Sequence, residues 1–277
     1  MTRLAYLGPP GTFTEEAALR YHSEAELVPF PTEPAAVAAV EAGQADEGVL
    51  AIENSLEGPV TRTIDALIHD SHLFIKSEIV LPIEHCLIAR PGTKADEVSA
   101  IYAHPQALNQ CRKFIERCFP RARQEAALSN AAAVEDVLRV PGGAAIAGAR
   151  AAELHGGEVL MRGIADNPHN KTRFVVLAPA DNPPTGRDKT SIAFTVAHDR
   201  PGTLVDVLHE FADRGINLTR IESRPSREEL GVYIFLVDLE GHRAEPAVAE
   251  ALAAVDSKAF FFRILGSYPR FDDARDP

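Results

Sequence analysis

Thr172 and Arg173 stand side by side in NKTRF (170–174), where a polar, turn-prone run gives way to an apolar one. A hydroxyl there could donate to a departing oxygen. A guanidinium beside it could grip a carboxylate through its planar fork. The plain alternative is a loop hydroxyl and a solvated cation. Three more polar patches raise similar questions: GPPGTFT (8–14), ENSLEG (53–58) and AHPQ (103–106).

Each patch has a structural reading and a chemical one. In the first, Thr12 followed by Glu15 fits a capping box, and a helix N-terminus at Thr12 could hold an anion. It is no Walker loop, because no Gly-Lys-Ser/Thr follows. In the second, Glu53, Asn54 and Ser55 end a buried strand, as a polar turn or as ligand contacts. In the third, His104 and Gln106 either cap a helix or face a site. There is no HExxH, no Gly-x-Ser-x-Gly and no GxGxxG after the first strand, so neither a metal nor a nicotinamide cofactor is expected. Thr, Ser, Asn, Gln, His and one Arg suit an anionic, hydroxylated small molecule held by hydrogen bonds.

The elements that must position these residues alternate strand and helix from residue 3 to residue 177, the pattern of an α/β fold. Strands are predicted near 3–7, 26–29, 48–52, 73–89 (one long stretch or two strands), 99–102, 123–128, 144–147 and 174–177. Helices are predicted near 12–21, 34–42, 61–69, 105–118, 131–138 (capped by Ser129) and 149–154. Ligands of open α/β sheets sit outside the carboxyl ends of strands. Three patches follow strands, whereas NKTRF precedes its strand and must reach the cleft from another side. The Pro/Gly/Asp-rich run 178–189 reads as a flexible linker. Beyond it, strands at 190–197, 218–222, 230–239 and 260–265 and helices at 201–214 (capped by Asp199) and 246–255 make a βαββαβ unit, the ferredoxin-like order.

The chain has 277 residues, enough for two or three domains, with 45% hydrophobic and 25% charged residues. A net charge of −12 argues against a nucleic-acid partner. Cys86, Cys111 and Cys118 show no ligand spacing and are expected as small buried hydrophobes in a reducing compartment. No leader pattern and no membrane-length apolar run is present, so the expected location is cytoplasmic.

The strings GPPGTF, ENSLEG, HPQAL and NKTRF, followed by GTL and ESRP, resemble the monofunctional bacterial prephenate dehydratases along nearly the whole chain. The βαββαβ unit looks like an ACT domain, a regulatory amino-acid-binding module. The resemblance implies a two-subdomain, type-2 periplasmic-binding-protein-like catalytic region over 1–178. Its subdomains would be roughly 1–80 with 157–178, and 81–156, with crossings near residues 81 and 156. A linker at 179–189 and an ACT domain at 190–277 would follow. No helical chorismate mutase segment precedes the first strand, which sets the chain apart from the fused two-enzyme form.

The resemblance also implies an activity, the conversion of prephenate to phenylpyruvate with loss of carbon dioxide and water. Thr172 would meet the leaving hydroxyl. A neutral Thr is a weak Brønsted acid, so it acts best as a donor or relay, with Glu53 or His104 as the proton source. Arg173 would hold a substrate carboxylate, with Thr12, Asn54, Ser55, Gln106 and Phe174 as further substrate contacts. Phenylalanine would bind between two ACT domains at Gly202, Thr203, Leu204, Asn217, Leu218, Glu222, Ser223 and Arg224, in a homodimer or tetramer. Two departures are visible: Ala103 stands where many members have Ser, and Thr203 where many have Ala. Arogenate dehydratase and a non-catalytic amino-acid sensor are the alternative readings.

Overall fold

The computed structural model describes residues 1–196, 201–227 and 231–271. The chain opens with β1 (Arg3–Leu7) and turns through Gly8–Gly11 into α1 (Phe13–Tyr21). Thr12 Oγ1 accepts the Glu15 N–H at 3.3 Å and caps α1. The expected capping box stays half-formed, because the Glu15 carboxylate takes the Gly11 N–H at 2.5 Å. β2 (Glu26–Phe30), α2 (Glu33–Glu41) and β3 (Glu47–Asn54) continue the alternation. The short β4 (Gly58–Pro59) folds back on β3, and α3 (Thr61–Asp65) runs into a π turn over Ala66–Asp70.

The apolar stretch 73–89 is two strands in two different sheets. β5 (Phe74–Pro82) closes the first sheet, and β6 (Cys86–Ala89) belongs to the second. The second lobe continues with β7 (Ala100–Ala103), α4 (Pro105–Gln110), α5 (Arg112–Cys118), β8 (Arg123–Ala126), α6 (Asn130–Val137), β9 (Gly143–Ala147), α7 (Ala149–His155) and β10 (Glu158–Met161). Ser129 caps α6, accepting the Ala132 N–H at 3.1 Å. The single helix expected over 105–118 breaks at Cys111, because Asp166 accepts the Lys113 and Phe114 N–H groups and starts a new helix there. Cys86 and Cys111 are buried as expected, while Cys118 is exposed.

The return to the first lobe comes later than residue 156. β10 pairs antiparallel with β6, so residues 158–161 belong to the second sheet. The first sheet is rejoined by β11 (Lys171–Ala178), inserted between β3 and β5. The first sheet runs β2-β1-β3-β11-β5 and the second β10-β6-β9-β7-β8. Two α/β lobes joined by two crossings, with a cleft between them, form the periplasmic-binding-protein-like plan.

The C-terminal unit is β12 (Asp188–Val196), α8 (Thr203–Ala212), β13 (Leu218–Pro225), β14 (Tyr233–Glu240), α9 (Pro246–Lys258) and β15 (Ala259–Pro269). Its antiparallel sheet has the order β13-β14-β12-β15, the ferredoxin-like arrangement. The expected cap Asp199 lies outside the described residues. One face of this sheet packs on α8 and α9 through Ile192, Phe194, Val237 and Leu239. The other face packs on the first lobe: Ala193, Ile234, Leu236, Leu265 and Tyr268 share one core with Leu50, Ile64, Ile75, Val175 and Leu177.

That shared core seats the unit on the first lobe, and the 178–189 run expected as a flexible linker makes bonds of its own to the unit. Asp181 accepts the Ser267 N–H at 2.8 Å and bonds Arg243 Nη2 at 2.9 Å, and Asp188 accepts the Thr185 hydroxyl at 2.6 Å. Gly266 comes so close to β5 that a Cβ there would stand 2.3 Å from the Ile75 carbonyl oxygen.

Candidate active site

The geometry of the site follows from β11. Side chains alternate along a strand. Phe174 and Val176 join the core under α1, whereas Val175 and Leu177 join the core shared with the C-terminal sheet. Thr172 therefore faces the cleft with Phe174, and Arg173 faces the opposite way. NKTRF was expected to precede its strand. Instead Lys171–Phe174 are strand residues, and Thr172–Phe174 are paired on both sides.

A bulge in β3 completes the arrangement. Thr172 lies opposite Asn54 and Arg173 opposite Glu53, but Phe174 lies opposite Ala51, leaving Ile52 as an extra residue. Strict alternation from the cleft-lining Ala51 would send Glu53 into the cleft and Asn54 away from it. The extra residue reverses both.

The cleft has a volume of about 820 Å³. Its walls include the 8–12 turn, Asn54, His85, His104, Gln106, Gln110, Ser129, Asn130, Asn170, Thr172 and Phe174. Its floor is a connected set of hydrogen bonds. Asn54 Nδ2 donates to Thr172 Oγ1 and to Asn170 Oδ1, each at 2.8 Å. Asn170 Nδ2 donates to Gln110 Oε1 at 3.2 Å, and His85 Nε2 meets the same oxygen at 2.9 Å. Gln110 Nε2 donates to Glu57 at 3.1 Å. Burial pushes the His85 imidazole below its ordinary pKa, offset in part by its bond to Gln110.

Of the expected site residues, Thr12, Asn54, His104, Gln106, Thr172 and Phe174 line the cleft. Thr12 Oγ1 also donates to the Leu7 carbonyl at 3.3 Å, and His104 Nδ1 accepts the Gln106 N–H at 3.3 Å. Ser55 stands behind the wall, where its Oγ accepts the Lys171 N–H at 2.9 Å. Ala103 points into the second-lobe core, away from the cleft.

Arg173 and Glu53 do not line the cleft. The guanidinium contacts Glu53 at 3.1 Å, Glu78 at 3.3 Å and, across the domain boundary, Asp238 at 2.9 Å. Burial opposes its charge, but the carboxylates of Asp238, Glu78 and Glu53 hold it ionised. A cation already shared by three carboxylates has no free fork for a substrate. Glu53, paired behind the sheet, is likewise out of reach as a proton source.

His85, Gln110 and Asn170 were not singled out from sequence. The available signals were a polar residue interrupting the apolar run IEHCLIA and the first letter of NKTRF itself.

The expected effector residues fall into two settings. Gly202 adopts a left-handed conformation (φ 93°) at the start of α8, followed by Thr203 and Leu204. Asn217 precedes β13, and Leu218 begins it on the free edge of the sheet. Ser223 is exposed. Glu222 and Arg224 turn toward the first lobe. Arg224 bonds Asp65 at 2.5 Å, Glu222 pairs with Arg220, and Arg220 Nε stands 3.9 Å from Glu53.

Comparison with known proteins agrees with this architecture. The family model "Prephenate dehydratase" matches residues 4–182, and "ACT domain" matches residues 190–257. A prephenate dehydratase of Mycobacterium sp. (strain JLS) is 42% identical, over 97% of this chain and 89% of the relative. The crystal structure of the Arthrobacter aurescens prephenate dehydratase in complex with L-Phe has a TM-score of 0.91 and 38% identity, covering 97% of this chain and 90% of that one. A structure described as GqqA, a novel type of quorum quenching acylase, has a TM-score of 0.89 and 34% identity, covering 99% of this chain and 100% of that one. The chain belongs to the prephenate dehydratase family and carries an ACT domain packed against its first lobe.

Proposed function

We propose that this protein converts prephenate to phenylpyruvate, with Thr172 as the group that meets the leaving hydroxyl. One observation carries the reading: Thr172 Oγ1, on the cleft wall, accepts from Asn54 Nδ2 at 2.8 Å. Its own hydrogen is left for a ligand, and accepting a hydrogen bond strengthens a hydroxyl as a donor. The partner is an amide N–H, which cannot take a proton, so the pair is built for donation and not for an activated nucleophile.

The chemistry asks for little more. The bond from ring to carboxylate breaks and carbon dioxide leaves. The electron pair enters the ring, the carbon–oxygen bond opposite breaks, and hydroxide departs with a proton to become water. Aromatisation drives the sequence. Thr172 stabilises the charge developing on the departing oxygen.

Among the described residues lining the cleft there is no Lys or Arg. Substrate carboxylates are then met by dipoles. α6 carries no acidic residue in its first turn, and Ser129–Ala132 at its start lie on the wall. Thr12, Gln106 and Phe174 complete the substrate contacts, and His104 is the cleft-side candidate for supplying the proton.

Phenylalanine is the proposed effector, bound at the edge of an ACT sheet paired with a second copy around Gly202, Thr203, Leu204, Asn217, Leu218 and Ser223. The ion pairs from Asp65 through Arg224, Glu222, Arg220 and Glu53 to Arg173 supply a physical route from β13 to the strand that carries Thr172. No helix among the described residues is long and apolar enough to cross a membrane. A cytoplasmic homo-oligomer is the proposed setting.

The direct test is incubation with prephenate, following phenylpyruvate by its ultraviolet absorbance in alkali. A parallel incubation with arogenate, followed for phenylalanine, measures the preference between the keto and amino substrates. Absence of both products ends the reading.

A further inference from the structure

We propose that His85 is a positioning residue: through Gln110 it registers the second lobe, with its His104–Gln106 wall, against Thr172 in the first. The proposal rests on the dehydratase reading of the cleft. It is carried by the polarity of the floor hydrogen bonds, which the backbone sets.

The backbone N–H groups of Leu56 and Glu57 donate to Asn54 Oδ1 at 3.0 and 3.1 Å. The Asn54 amide is thereby oriented, and Nδ2 must face Asn170 and Thr172. Asn170 then presents Oδ1 to Asn54 and Nδ2 to Gln110. Gln110 Nε2 faces the Glu57 carboxylate, which can only accept. Gln110 Oε1 is left to receive two donors, Asn170 Nδ2 and His85 Nε2. His85 must therefore carry its hydrogen on Nε2. Its Nδ1 is bare, buried and without a partner.

The elements joined make this a latch. Gln110 ends α4, whose N-cap is His104 and whose first turn holds Gln106. Its side chain is held by Glu57 and Asn170 on the first-lobe side and by His85 in the crossover between β5 and β6. Its backbone carbonyl accepts the Asp166 N–H at 2.8 Å, from the segment returning to the first lobe. His85 is 3% exposed and packs edge-on against Phe13 of α1, with ring centroids 5.8 Å apart. It is a rigid donor at the point where the lobes meet.

The chain of bonds is no proton path. Both ends donate toward Gln110 Oε1, and a carboxamide does not exchange protons between its nitrogen and oxygen on a catalytic timescale. Titratable groups near His85 include Glu57 beyond Gln110, the chain neighbours Glu84 and Cys86, and His104 in the same cleft. Protonating Nδ1 would leave the Nε2–H bond to Gln110 in place. A positioning role therefore predicts a kcat that does not track the charge of His85.

The test compares two substitutions in the full-length protein. His85→Gln puts an amide N–H where Nε2 stands, and His85→Phe keeps bulk and removes the donor. Displacing a catalytic wall by about 1 Å costs on the order of a hundredfold. We expect His85→Phe to lower kcat at least about tenfold and His85→Gln to stay within about threefold of wild type, with an unchanged pH profile. Gln110→Leu combined with His85→Phe should be no worse than the poorer single variant, because the two act as a unit. In the ligand-free protein, nitrogen-15 NMR should show the Nε2–H tautomer of His85. An Nδ1–H tautomer overturns the proposal, as does wild-type turnover in His85→Phe, or loss of a pH limb in His85→Gln. The tautomer is read without substrate, so an inactive wild-type protein would count against the dehydratase reading alone.

Discussion

Thr172 and Arg173 are neighbours on β11 that serve opposite faces of one sheet. Thr172 Oγ1 lies in the cleft, 2.8 Å from Asn54 Nδ2. The Arg173 guanidinium lies behind it, bonded to Glu53 and reaching Asp238 of the ACT sheet at 2.9 Å. One step along the chain separates the proposed chemistry from the contact with the regulatory module.

Thr172→Val removes the hydroxyl and nearly keeps the shape. Loss of a positioned donor to a departing oxygen costs on the order of a hundredfold or more in kcat. The expected outcome is at least that loss, with KM changed little and thermal stability within a few degrees of wild type. Turnover at the wild-type rate would remove Thr172 from the reaction.

Arg173→Ala is expected to act on stability before it acts on binding. Three carboxylates would be left around a vanished cation, and breaking a buried pair from one side costs about 3–5 kcal/mol. Arg173→Lys should recover part of that, because one ammonium cannot span Glu53, Glu78 and Asp238 together. Calorimetric Tm and KM together decide the matter. A KM raised tenfold at unchanged Tm would mean that the guanidinium reaches substrate after all.

Arg220 links the ESRP strand to Glu53 and lies outside the cleft. Arg220→Ala should leave basal turnover near wild type and weaken inhibition by phenylalanine several-fold. Coupling is reciprocal, so prephenate should also weaken phenylalanine binding less in the variant than in wild type. Titration calorimetry with and without a substrate analogue checks this. An unaltered inhibition curve would route the signal elsewhere.

Acid should loosen the boundary between the lobes and the ACT sheet. Burial raises the Asp238 carboxyl, but Arg173, Arg220, the Ser191 hydroxyl and Lys189 more than reverse that, and its pKa falls below the usual range. A carboxylate with a depressed folded-state pKa adds stability that is fully present above its unfolded value, about 3.9. That stability is lost as pH drops through the folded value. Asp238→Asn should be less stable than wild type at neutral pH, and the gap should shrink below about pH 4. Denaturant melts across that range measure it, and a gap independent of pH would contradict the assignment.

Much of this was legible in the chain. The α/β alternation, the βαββαβ tail and the caps Thr12 and Ser129 follow from local periodicity and capping chemistry, which need only neighbouring residues. NKTRF, ENSLEG and HPQ were visible as polar patches for the same reason, and Asn54, Thr172 and Gln106 do line the cleft. What local pattern cannot reveal is which face of a sheet a residue serves once a strand is bulged. Ile52, the extra residue in β3, sends Glu53 backward and Asn54 forward. That register exists only when β3 pairs with β11, more than a hundred residues away. The same limit hid the fate of Arg173, since its partners Glu78 and Asp238 are distant in sequence. It hid His85 as well, whose meaning comes from Gln110, the side chain that Asn170 also holds from across the lobe boundary. Composition and period specified the elements. Long-range pairing decided which side chains share the cleft, because each face belongs to the assembled sheet and not to the strand alone.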